Sequence, residues 1–126
     1  MSDRDAEHQE MTGGFLGMEL YVVTSTPAAP PEKMAENLKA HLAHQVAIEK
    51  KGILFAAGPL YGKTDQVPRA GMIIIRAASF EEADRIAASD PMHQAGARGY
   101  TIDKWCVNEG GFNLRVTYSD QKMEIS

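Results

Sequence analysis

The heptapeptide GMIIIRA, residues 71–77, carries four consecutive apolar side chains, Met72 to Ile75. They do not alternate with polar residues, so the stretch predicts a strand that is covered on both faces. Upstream, ILFAAGPL (residues 53–60) predicts a strand that ends at the breaker Gly58-Pro59, and GMELYVVTST (residues 17–26) a first strand around Leu20 to Val23. Downstream, YTIDKWCV (residues 100–107) predicts a fourth strand. FNLRVTY (residues 112–118) alternates strictly and predicts a half-buried fifth strand.

Two helices separate these strands. From Glu32 to Lys51, Met34, Leu38, His41, Leu42, Gln45 and Ile48 recur at offsets of three and four, one stripe of an amphipathic helix expected to face the core. Pro30 and Pro31 suit its first turn, which needs no amide donors, and Gly52 suits its C-terminal stop. In SFEEADRIAASD, Ser79 and Glu82 have the spacing of a capping box, and Asp90-Pro91 ends the second helix. PMHQAGARG after it predicts a turn or short helix.

The order β-α-β-β-α-β plus a C-terminal strand predicts an α+β fold, ferredoxin-like, with two helices on one face of an antiparallel sheet. Helices cover only one face of such a sheet. The other face would present Ile and Val side chains to water, so a homodimer packed sheet to sheet is expected. The domain organisation expected is a flexible leader over residues 1–16, the ferredoxin-fold domain over 17–108 and a strand extension over 109–126.

Composition narrows the function classes. The chain has 126 residues, 44% hydrophobic and 24% charged, with a formal charge of −4 and no run of Lys or Arg. This disfavours a nucleic-acid or anionic-membrane surface. The single Cys106 excludes an intrachain disulfide. The polar N-terminus has no signal-peptide pattern, and a cytoplasmic location is expected. There is no GxGxxG, P-loop or Gly-x-Ser-x-Gly motif, so neither a nucleotide nor a serine-hydrolase reading is available.

Several motifs, in order, resemble the YCII (YciI-like) family: AHLAHQ on the first helix, AAGPL at the second strand, SFEEA opening the second helix, DPMHQAG after it, and Trp105 in the last core strand. The resemblance runs from about Met18 to Val107. It implies a dimeric ferredoxin-like fold, similar to that of muconolactone isomerases, with a His/Asp-centred site in a cleft. By motif, these residues are His41 and Asp90. The activity the resemblance implies is dehydrochlorination of a chlorinated hydroxyhydroquinone. The polar leader, the strand after Gly111, and His44 and His93 depart from the family pattern.

Each candidate has a plain structural reading beside the functional one. His41 on an apolar stripe could be a satisfied core histidine. As a catalytic residue, it would move protons near neutral pH, as base and then acid. Asp90 could simply cap a short helix at Pro91; the same carboxylate could also orient the imidazole. Gly58 and Pro59 could only punctuate a strand, or form a cleft floor that binds substrate, with His93 beside them. Cys106 reads as packing filler, and Tyr61 and Arg98 as surface residues that could hold a phenolate or carboxylate. Metal binding by His41, His44 and His93 is disfavoured, because helical zinc pairs more often use an i, i+4 spacing.

The expectation is therefore a cofactor-free enzyme, with no metal, of lyase or isomerase type. It would use a His-Asp pair for acid/base chemistry on a small cyclic or phenolic substrate. A non-catalytic ligand-binding or accessory module is the alternative, and an oxygen-using monooxygenase on a related fold a third option.

Overall fold

The computed structural model describes residues 2–126, which form two compact units: Glu19–Cys106, and residues 2–18 with Val107–Ser126. The larger unit contains β1 (Met18–Pro27, entering from the other unit), α2 (Pro31–Lys50), β2 (Leu54–Leu60), β3 (Ala70–Ile75), α3 (Phe80–Ala88), α4 (Pro91–Gln94) and β4 (Arg98–Val107). The smaller holds α1 (Asp3–Thr12), β5 (Leu114–Thr117) and β6 (Lys122–Ile125). The fold is mixed α+β. Its four-stranded sheet has the order β2-β3-β1-β4, and β3 pairs antiparallel with both β1 and β2.

The register explains the core. On the helix-facing side, one cross-strand row is Tyr21, Ile75 and Leu54, the next Val23, Ile73 and Ala57, and the third Ser25, Gly71 and Pro59. Tyr21, Ile75, Val23 and Ile73 of the first two rows, with Leu54 beside them, pack against Ile48 of α2 and Ala83 and Ala87 of α3, while Ala57 lines the cavity described below. Ile74, on the opposite face, is also only 5% exposed, so β3 is buried on both sides as its unbroken apolar run predicts. That opposite face is therefore not wholly bare in the single chain.

Local chemistry sets the boundaries. Gly52, at φ 77°, ends α2 in a Schellman motif: the Ile53 amide donates to the Ile48 carbonyl and the Gly52 amide to that of Glu49. Ser79 caps α3 by accepting from the Glu82 amide at 3.1 Å; only this half of the expected capping box forms.

Four expectations are corrected. Gly58-Pro59 does not end β2, which runs to Leu60; β2 is an edge strand, where the missing proline donor leaves no ladder bond broken. The leader region forms α1, because Ser2 and Asp5 make a capping box across the first turn. The C-terminal strand is not half-buried: β5 pairs with β6 in its own two-stranded sheet, and Leu114 and Val116 stay exposed. Cys106, expected as filler, is exposed. Among the described residues, no helix is long and apolar enough to cross a membrane.

Candidate active site

Pro91 forces Asp90 out of the helical region, to φ −66° and ψ 128°, where it caps α4 by accepting from the Met92 amide at 2.9 Å. The carboxylate is thereby aimed at α2. His41 Nδ1 lies 2.9 Å from both Asp90 oxygens, and Gln45, one helical turn on, donates its Nε2 to Oδ2 at 3.3 Å. The Asp90 side chain is 3% exposed and that of His41 20%.

Burial alone would raise the Asp90 pKa. The bonds from the His41 ring and the Met92 amide outweigh it, aided by the charges of His41 and His93, so the group lies below the usual carboxylate value. An ionised carboxylate only accepts, so His41 Nδ1 carries a proton toward it. On the neutral ring, Nε2 is then the bare nitrogen, and it has no hydrogen-bond partner among the described residues.

His41 lines a cavity of about 670 Å³ between α2 and the sheet. The cavity exists because the third cross-strand row is small: Ser25, Gly71 and Pro59 leave space where Ile73 and Ile75 would fill it. Above this floor stand Leu38, Leu42 and Val46 of α2. The stripe expected to face the core divides here: Ile48 is buried, whereas Leu38 and Leu42 form cavity wall and remain 49% and 54% exposed.

His41, Gly58 and Pro59 thus come together at the cavity, with Asp90 directly behind His41. His93 is not in the cavity wall. It stands behind Ser25, with Nε2 2.7 Å from Ser25 Oγ and Nδ1 2.7 Å from the Ala87 carbonyl. His44 lies away from the cavity, 3.4 Å from Ser89 Oγ. Arg98, read as a surface residue, lines the cavity, while Tyr61 is exposed outside it. No cluster of three His, Cys, Asp or Glu side chains that could hold a metal occurs among the described residues.

Sequence reading missed Gln45 and Ser25 as site residues. The i, i+4 spacing of His41 and Gln45 in HLAHQ carried a signal for the first. Ser25 had none, because its place depends on strand register.

The model of the YCII-related domain matches residues 18–106. No curated protein matches the chain. Among solved structures it is similar to 5-chloro-2-hydroxyhydroquinone dehydrochlorinase (TftG) from Burkholderia phenoliruptrix AC1100, in complex with 2,5-dihydroxybenzoquinone. That similarity has a TM-score of 0.54 and 20% identity, covering 68% of this chain and 92% of the other. At that identity the likeness concerns the fold alone. With the family model matched over most of its length, this chain belongs to the YCII-related domain family.

Proposed function

We propose that this protein is an acid/base enzyme acting on a small cyclic or phenolic molecule bound in the cavity beside His41. One observation carries the reading: Asp90 engages Nδ1 of His41, which leaves Nε2 as the proton-accepting nitrogen of a residue in the cavity wall. His41 is the catalytic residue. Asp90 is its positioning residue, holding one tautomer and stabilising the imidazolium after proton uptake. The apolar wall suits a ring.

The most concrete reaction is loss of HCl from a chlorinated hydroxyquinol, the kind of compound that the name of the similar dehydrochlorinase describes. Two hydroxyl protons leave, the carbon bearing chlorine gains one proton, and chloride departs with the C–Cl electron pair. The ring becomes a quinone without an external oxidant. His41 would take a hydroxyl proton and return it to carbon, base first and acid second. Isomerisation of a lactone or enol would use the same pair. The protein would act as a homodimer through the sheet face opposite the helices, with no resident cofactor.

Chloride release from 5-chloro-2-hydroxyhydroquinone tests the reading. His41→Ala is expected to lower kcat/KM by about 10²–10⁴-fold, and Asp90→Asn to lower it with a changed pH-rate profile. Turnover that survives His41→Ala, or tight binding with no turnover by the wild type, would remove the enzymatic reading.

A further inference from the structure

Ser25 sits in the helix-facing cavity floor beside Gly71, on β1, and is 3% exposed. Its Oγ lies 2.7 Å from His93 Nε2. The direction of that bond follows from the other side of the ring. His93 Nδ1 is 2.7 Å from the Ala87 carbonyl, which can only accept, so Nδ1 carries a hydrogen. On the neutral ring Nε2 then accepts, and Ser25 spends its only hydrogen on it. What Ser25 retains for the cavity is a lone pair.

The ring is held in this orientation by more than the two bonds. Tyr100 packs on it at 4.5 Å between centroids, and the Tyr100 hydroxyl is tied to Asp84 Oδ1 at 2.7 Å. Next to Ser25 stands a cation. Arg98 Nη1 donates to the Ser25 carbonyl at 3.0 Å, and Arg98 also lines the cavity. Among the described residues, Arg98 makes no ion pair. Approach to this corner is open, since a Cβ on Gly71 would meet nothing closer than Ser25 Cβ at 4.0 Å.

An acceptor adjoining a guanidinium is complementary to a donor adjoining an anion. We propose that the Ser25–Arg98 corner is a subsite for a hydroxyl group next to an oxyanion: the vicinal oxygens of a mono-ionised catechol, a hydroxyquinone anion or an enediolate. Ser25 accepts from the hydroxyl, Arg98 faces the oxyanion, and His93 acts through Ser25 as a positioning residue. The inference rests on the cavity being the ligand site proposed above, and it defines which rings that site selects. A ring lacking the hydroxyl would leave the buried Ser25 lone pair unmatched, which is how a polar site rejects an analogue.

Two coloured probes separate the outcomes: 4-nitrocatechol, and 2-methoxy-4-nitrophenol, in which a methyl ether replaces the donating hydroxyl. Titration calorimetry near neutral pH is expected to show the wild type binding the catechol about tenfold tighter. Ser25→Ala should bring the ratio to near one without weakening the methyl ether, and Ser25→Thr should restore it. His93→Phe keeps a ring against Tyr100 but releases the Ser25 hydrogen. It should also reduce the ratio, whereas a purely structural role for His93 would weaken both probes alike. Arg98→Gln should weaken both by a similar factor. Equal binding of the two probes by the wild type, or a ratio preserved in Ser25→Ala, overturns the subsite and leaves the His41 reading standing. If neither probe binds, the cavity is not a phenol site and both readings fall.

Discussion

At Asp90, burial opposes ionisation, while the imidazole and the Met92 amide favour it; the hydrogen bonds win, and the carboxyl titrates below its ordinary value of 3.8. The sign of the linkage follows. A carboxylate whose folded pKa is depressed contributes its full stability above the unfolded pKa and loses it as pH falls through the folded one. The advantage of wild type over Asp90→Asn should therefore be complete at pH 5, shrink once pH falls below about 4 and be absent at lower pH. Urea midpoints across that range measure it, and a constant difference would show that the charge is not the cause. At neutral pH the loss should be about 1–3 kcal/mol, the usual cost of disturbing a buried hydrogen-bonded charge. Gln45 shares the same carboxylate, but its Oε1 is buried without a partner among the described residues, so its benefit comes only through Nε2.

At the scale of elements, the cavity results from contrast along one sheet face. Large residues on β1 and β3 hold Ile48 of α2 and α3 close, and the small row at Ser25, Gly71 and Pro59 leaves space beneath Leu38 and Leu42. Gly71→Val is expected to fill that floor. It should weaken binding of a phenolic probe by about tenfold or more while leaving thermal stability equal or slightly higher, because glycine is a poor strand residue. Unchanged affinity would show that ligands bind elsewhere. Gly52 is constrained differently. Its φ of 77° lies where a Cβ is strained, so Gly52→Ala should cost about 1–2 kcal/mol by denaturant unfolding even though open space surrounds it. Strand boundaries were less legible than helix ends: Gly58-Pro59 reads as a stop, and only the edge position of β2 shows why it is not one.

At the scale of the whole molecule, the family fold and the proposed homodimer put weight on the sheet face opposite the helices. Trp105, 40% exposed, alternates along β4 with the helix-facing Tyr100 and Ile102 and so falls on that face. Sedimentation equilibrium should give about twice the chain mass of 13.8 kDa, and Trp105→Glu should halve the observed value. A monomer in the wild type would refute the dimer. The low exposure of Ile74 in the single chain makes this a real test, because part of the apolar surface that motivated dimerisation is already covered.

The amino-acid sequence determined the features that arise within a few residues: the period of α2, the Ser79 cap, the Gly52 stop, the turn at Asp90-Pro91 and the uninterrupted apolar strand Met72 to Ile75. Their order was enough to indicate the sheet and its helices, and the family motifs pointed to His41 and Asp90. Tertiary structure alone decided the rest. His41 and Asp90, 49 positions apart in the chain, come within a hydrogen bond only when α2 lies across the start of α4. Ser25 becomes cavity floor only through its register with Gly71, and His93 becomes its backing only because β1 passes beside α4. Such pairings join residues far apart in the chain, and no local period or propensity encodes which of them will meet.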